Sequence, residues 1–166
     1  MAKESEIPLE KAREVAVKFI DTVLKDIVIG GEICGSIRRK RPVVRDIDVV
    51  VRPKNIFTFS SELLRKLPRP AKIIKQGDKL IEVEFEGIQV DIYVANKDTF
   101  ETIKLIRIGS ESHNVKLCSL AKQKGWVLHA DGRGLYSADD KVLIANTEDE
   151  ILTKLLGKVV PPEERE

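Results

Sequence analysis

The chain has two cysteines, Cys34 and Cys118, too few for a disulfide scaffold. Its two histidines, His113 and His129, do not stand at zinc-ligand spacing with either cysteine, which argues against a structural zinc site. They read as ordinary surface or hydrogen-bonded histidines. No apolar run approaches the length of about 18 residues that a membrane-spanning helix needs. No repeat and no low-complexity stretch occurs. The opening MAKESEIPLE lacks the apolar segment of a secretion signal, so the expected location is cytoplasmic. Charge of one sign is not in excess either: 29 basic and 27 acidic residues leave a formal net charge of +2.

What is present fits one soluble domain. The 166 residues, 42% hydrophobic and 34% charged, suffice for one substantial core. The charge is unevenly placed. Residues 36–45 hold Arg38, Arg39, Lys40, Arg41 and Arg45 with no acid, and residues 104–124 hold five basic residues against Glu111 alone. Residues 125–166 hold five basic residues against nine acids. Two basic patches and an acidic tail suit a chain that holds phosphate locally.

Local patterning predicts the elements. Leu9, Ala12, Val15, Ala16, Phe19, Ile20, Val23 and Leu24 form one helical stripe, with Pro8 suited to its first turn. Glu32–Gly35 and the valine-rich Asp46–Arg52 read as strands, and 56–67 as a helix stopped by Pro68. Residues 72–94 read as all-β, with Ile81, Val83 and Phe85, then Ile88, Val90, Ile92 and Val94, on alternating faces. Asp98 with Glu101 predicts a helix cap, as does Ser110, whose helix Gly125 closes. Trp126–Leu128 and Lys141–Ile144 flank a Gly-rich turn and suggest a small hairpin. Thr147 with Glu150 caps a last helix that Gly157 ends. The expected fold is α/β (α+β): a mixed β-sheet with helices over 1–95, then a smaller, mostly helical unit with a short hairpin over 96–166.

The sharpest feature is Asp46-Ile47-Asp48. In a strand, alternate side chains share a face, so the two carboxylates stand about 7 Å apart while Ile47, Val49 and Val51 face the core. Carboxylates crowded in this way repel unless a cation intervenes. Oxygen-only ligands select Mg²⁺ or Mn²⁺ over zinc. Asp91, on the face opposite Ile88, Val90, Ile92 and Val94, joins the pair if the two strands are neighbours. Upstream, Gly35 permits a tight turn. The Ser36 hydroxyl and backbone N–H groups can meet a phosphate there, and Arg38 or Arg39 can neutralise it.

Gly35-Ser36, nine residues, then Asp46-Ile47-Asp48 resembles the signature of the polymerase-beta-like nucleotidyltransferase superfamily. GSIRR (35–39) with DIDVVV (46–51), IQVDIYV (88–94), IGSESHN (108–114) and the final PPEERE, in this order, resemble the palm and thumb of family X DNA polymerases. The resemblance implies a palm over 1–95 and a thumb over 96–166. It implies that Asp46, Asp48 and Asp91 are catalytic and hold two Mg²⁺ ions, with Mn²⁺ as a substitute. Gly35, Ser36 and Arg39 would bind the triphosphate, Gly109 and Ser110 the sugar, and Asn114 the base. Arg38, Lys40, Arg41 and Lys116 would contact nucleic acid. The reaction implied is in-line attack of a primer 3′-hydroxyl on a nucleoside triphosphate, with DNA as partner, in short-gap repair.

The chain also departs from the family pattern. Ile106 and Arg107 stand where many members carry an aromatic pair that excludes ribose. Arg45 replaces a common glycine, and Cys118 stands at the position of a template-contacting arginine. At this length the chain is expected to be a minimal palm-plus-thumb form, acting as a monomer. A nucleotidyltransferase acting without a template, or on RNA or a small molecule, is the alternative. A non-catalytic nucleic-acid-binding module is another, and three retained carboxylates count against it.

Overall fold

The computed structural model describes residues 6–166. Strand β1 (Ile7–Pro8) leads directly into α1 (Leu9–Phe19), with Pro8 as its N-cap residue. The expected stripe buries Ala12, Val15, Ala16 and Phe19. It continues to Leu24, but Ile20–Leu24 winds as a π-helix, closed by the Lys25 N–H donating to the Ile20 carbonyl. Chain order then gives β2 (Val28–Cys34), α2 (Gly35–Arg38), β3 (Val43–Val44), β4 (Ile47–Pro53) and α3 (Phe59–Lys66). Three strands follow, β5 (Lys72–Gln76), β6 (Leu80–Phe85) and β7 (Ile88–Val94). The remainder comprises α4 (Phe100–Ile108), α5 (Glu111–Gln123), β8 (Trp126–His129), β9 (Gly134–Ser137), β10 (Leu143–Ala145), α6 (Glu148–Leu156) and a 3-10 turn at Pro162–Glu164.

Five strands form a mixed sheet in the order β2-β4-β7-β6-β5, with β4 and β7 parallel and the other pairs antiparallel. One face is the main core. Ile47, Val49, Val51, Ile81, Val83, Phe85, Val90 and Ile92 pack there with Phe19 and Leu24 from the first helical segment and Phe59 and Leu63 from α3. Each fully buried side chain of this kind contributes about 1.5–3 kcal/mol. The Phe19 and Phe85 rings meet edge to face, 5.1 Å apart. On the opposite face, Cys34 and Val50 pack with Ala95 and with Ile108 of α4. Helix α4 thus covers the β2–β4 side of that face. A separate cluster unites Leu105 of α4, Leu117 and Ala121 of α5, Leu128, Leu135, and Ile151, Leu152 and Leu155 of α6.

The α/β architecture matches the expectation, with local differences. Asp46 lies in a bend just before β4 rather than inside the strand. The helix expected from residue 56 begins at Phe59, because Asn55 Oδ1 accepts the Phe57 N–H at 2.9 Å and holds a turn that competes with the helix. The Asp98 cap does not form. Asn96 Oδ1 instead accepts the N–H groups of Asp98 (2.8 Å) and Thr99 (3.1 Å), and α4 starts at Phe100. The expected hairpin is a three-stranded antiparallel sheet, β10-β9-β8. Its middle strand was hidden in the glycine-rich stretch, and it forms because Leu135 is wholly buried. The caps at Ser110 and Thr147 are made: Ser110 Oγ accepts the His113 N–H at 3.2 Å, and Thr147 Oγ1 the Glu150 N–H at 3.3 Å.

Candidate active site

Strand register assembles the site. Asp48 of β4 stands directly beside Asp91 of β7 in the parallel pair. Cys34 of β2 flanks Asp48 on one side, and Glu82 of β6 flanks Asp91 on the other. Cys34, Asp48, Asp91 and Glu82 therefore form one row across four strands, on the face that α4 only partly covers. Asp46 enters the row from the bend before β4. Its field acts on both Asp48 and Asp91.

The turn into α2 lies against this row. Gly35 has φ +62°, a conformation that costs other residues dearly. A Cβ there would overlap Asp48 Oδ2 and stand 3.1 Å from Asp48 Cγ. Only glycine allows both the turn and the close approach of the Asp48 carboxylate. The Ser36 side chain is half-buried beside it.

Burial pushes the Asp48 carboxyl up to about 7, and Asp46 and Asp91 add to the rise. Arg107 and a hydrogen bond from Tyr93 oppose it. The Asp91 carboxyl is also raised, first by burial, while a hydrogen bond from Gln89 partly offsets the fields of Asp46 and Glu82. Like charges gathered in a low-dielectric site behave in this way. Tyr93 O–H donates to Asp48 Oδ1 at 3.5 Å, and the Arg107 guanidinium stacks 4.2 Å from the centre of the Tyr93 ring. Gln89 Nε2 donates to Asp91 Oδ1 at 2.9 Å. The thiol of Cys34 is strongly raised by burial and then by Asp48, so it remains a neutral, buried side chain.

Arg39 reaches from the end of α2 to the start of the second unit. Its Nη1 donates to the Ile108 carbonyl, and a Cβ on Gly109 would stand 2.9 Å from that nitrogen. The structure thus brings Arg39 together with Gly109 and Ser110. Asn114 of α5 is held nearby, with Nδ2 donating to the Ile106 carbonyl at 2.8 Å. Arg38 lies apart, paired with Glu32 at 3.3 Å. Lys40 and Arg41 pair with Glu163 (3.4 Å) and Glu166 of the tail. Lys116 is exposed on α5 and is not part of this group.

Some site-facing residues escaped the sequence reading. Tyr93 carried a usable signal, being two residues after Asp91 on the same strand face. Gln89, two residues before Asp91 on that face, carried the same signal, whereas Glu82 and Arg107 carried none, since their proximity depends on cross-strand register and on the seat of α4. His113 differs from expectation. It is 3% exposed, and neither ring nitrogen has a hydrogen-bond partner among the described residues. Burial, then Arg165 and Lys116, lowers its pKa to about 4, so the ring is neutral. His129 is hydrogen-bonded as expected, to Asp140 at 2.7 Å.

Carboxylate oxygens alone, with raised pKa values and mutual repulsion, suit a hard divalent cation. Among the described residues, no three His, Cys, Asp or Glu side chains are gathered closely enough to hold a metal ion. Asp48 is hydrogen-bonded to Tyr93 and Asp91 to Gln89. The donor set fits the ion by chemistry and charge, while both carboxylates are engaged with neighbouring side chains.

A mixed sheet with this carboxylate row, joined to a helical unit with a small sheet, is a polymerase-beta-like fold. Two solved structures of Leishmania infantum polymerase beta match it over 98% of this chain. The ternary P/T complex has a TM-score of 0.72 at 19% identity, covering 77% of that chain. The ternary gap complex has a TM-score of 0.73 at 18% identity, covering 71%. Residues 105–166 match the DNA polymerase beta thumb family. The DNA polymerase/3'-5' exonuclease PolX of Bacillus subtilis (strain 168) is 32% identical over 95 residues, which is 55% of this chain and 16% of that protein. The chain thus resembles PolX over part of its sequence and polymerase beta in its fold, its residues 105–166 match the polymerase beta thumb family, and it spans about a sixth of the length of its PolX relative.

Proposed function

We propose that the chain is the palm (1–95) and thumb (96–166) of a DNA polymerase of the family X type, transferring nucleotides to a primer 3′-hydroxyl on gapped DNA. The observation that carries this reading is the parallel pairing of Asp48 with Asp91, with Asp46 at the entry to the same strand, in a chain that has a polymerase beta thumb. Asp46 and Asp48 would hold two Mg²⁺ ions, and Asp91 one of them. When bound, the ions supply a lowered pKa for the attacking hydroxyl and charge neutralisation at the transferring phosphoryl group. Ser36 at the start of α2 and Arg39 beside Gly109 flank the space where a triphosphate would lie. Arg39 Nε is buried and without a partner among the described residues. Ser110 and Asn114 border the same space from α5.

The test is single-nucleotide incorporation on a one-nucleotide gap with Mg²⁺. Asp91→Asn should abolish incorporation and leave thermal unfolding cooperative. Near-normal incorporation by that variant would overturn the assignment. One observation favours a second reading, a transferase indifferent to the sugar or template. Arg107 stacks on Tyr93 where family members carry an aromatic wall, and the Ile106 carbonyl is already engaged by Asn114. Comparable incorporation of NTP and dNTP would decide for that reading.

A further inference from the structure

The tail is pinned by its own geometry. Pro161 and Pro162 lead into the 3-10 turn, where the Glu164 N–H donates to the Pro161 carbonyl at 3.0 Å and the Arg165 N–H to Pro162 at 3.1 Å. Arg165 is 1% exposed. Its Nε donates to the Val160 carbonyl at 2.8 Å and its Nη2 to Glu148 Oε1 at 3.0 Å. The Arg165 carbonyl accepts the Ser110 N–H at 3.1 Å. Held by this anchor, Glu163 pairs with Lys40 at 3.4 Å and Glu166 pairs with Arg41.

The loop that receives these carboxylates is itself unusual. Helix α2 ends in a two-bond motif, with the Arg41 N–H donating to Ser36 and the Lys40 N–H to Ile37, both at 3.0 Å. This motif places its turning residue in the left-handed region, which glycine normally fills. Here that residue is Lys40, with φ +58°. A lysine kept where glycine would be less strained points to a use for its ammonium group.

We propose that the tail is a phosphate-mimicking strap. In the absence of nucleic acid, Glu163 and Glu166 occupy the positions at which Lys40 and Arg41 hold neighbouring backbone phosphates, and nucleic acid binds this loop by displacing them. The proposal rests on the polymerase reading but concerns the loop after α2, not the carboxylate row. Carboxylate and phosphate offer a cation the same charge-assisted acceptors, so one can stand in for the other. The strap is weak enough to yield. Both pairs are substantially exposed, 61% and 41% for Lys40 with Glu163 and 40% and 52% for Arg41 with Glu166. An exposed pair holds its partner by a factor of about 1.4–5. Together the two should lower nucleic-acid affinity by about two- to thirtyfold.

The experiment measures binding of a fluorescent gapped DNA duplex to the full chain across a range of NaCl concentrations. Glu163→Gln/Glu166→Gln should bind about two- to thirtyfold tighter than wild type at low salt. Its salt slope should be steeper by as much as about 1.8, with the gain fading at high salt. Glu14→Gln/Glu164→Gln makes the same change in net charge at exposed sites outside the two pairs, and it should gain much less. Adding Lys40→Gly to the strap variant should remove part of the gain without lowering the thermal midpoint. A strap variant no tighter than the charge-matched control would overturn the proposal, as would a gain that survives Lys40→Gly undiminished. Failure of every protein to bind DNA would overturn it too. Incorporation assays on the same proteins judge the polymerase reading separately: loss of incorporation throughout, with the affinity gain intact, would refute that reading and spare the strap.

Discussion

Replacing Gly35 with alanine separates the position of Asp48 from the stability of the fold. Two penalties arise at once. The backbone at φ +62° becomes unfavourable by about 1–2 kcal/mol for a residue with a Cβ. The new methyl also overlaps Asp48 Oδ2 and stands 3.1 Å from Cγ and 3.3 Å from Cβ of the same residue. The carboxylate can turn aside only by leaving its hydrogen bond from Tyr93, and the contact with Asp48 Cβ remains. The expected loss of stability is therefore at least the backbone penalty, about 1–2 kcal/mol, or a fall of at least about 2–8 °C in Tm for a chain of this size. The loss of activity should be far larger. Displacing a catalytic carboxylate by about 1 Å costs on the order of a hundredfold. Urea midpoints and single-nucleotide incorporation at saturating Mg²⁺, measured on one preparation, give both quantities. A Gly35→Ala protein that shows the stability loss yet keeps activity within about threefold of wild type would refute the argument that Gly35 exists to admit Asp48.

Two further expectations follow from buried charge. The Asp48 carboxyl, pushed up to about 7 by burial and by Asp46 and Asp91, binds its proton more tightly folded than unfolded. Stability of the metal-free chain should therefore fall as pH rises from about 4 to about 7, by at most about 4 kcal/mol. Asp48→Asn should flatten that slope, and Mg²⁺ should raise Tm more at pH 8 than at pH 5; a Mg²⁺ effect independent of pH would count against the coupling. Arg165→Ala leaves the Glu148 carboxylate with Lys104 at 3.8 Å as its remaining ion-pair partner. Breaking a buried pair in this way should cost about 3–5 kcal/mol in chemical denaturation, partly recovered by adding Glu148→Gln, and a cost below about 1 kcal/mol would show that Arg165 is not an anchor.

The sequence by itself determined what depends on near neighbours along the chain. Alternation placed Ile47, Val49 and Val51 on the core face and Asp91 opposite Val90 and Ile92, because side chains in a strand alternate whatever lies beyond them. Ser110 and Thr147 were legible as caps because the N–H groups they accept are three residues away. The order of GSIRR, the Asp-x-Asp pair, IQVDIYV and IGSESHN was enough to suggest the polymerase family. Where a competing side chain lay equally close, local reading was misled, as when Asn96 supplied the acceptor expected of Asp98. Only the tertiary structure decided what meets across distance. Strand register put Asp48 beside Asp91 and added Glu82. The seat of α4 stacked Arg107 on Tyr93, and burial of Arg165 drew the acidic tail onto Lys40 and Arg41. Periodicity tells each residue which face it occupies, but register and packing choose its partner. Those are settled by the burial of the whole core, to which every strand and helix contributes.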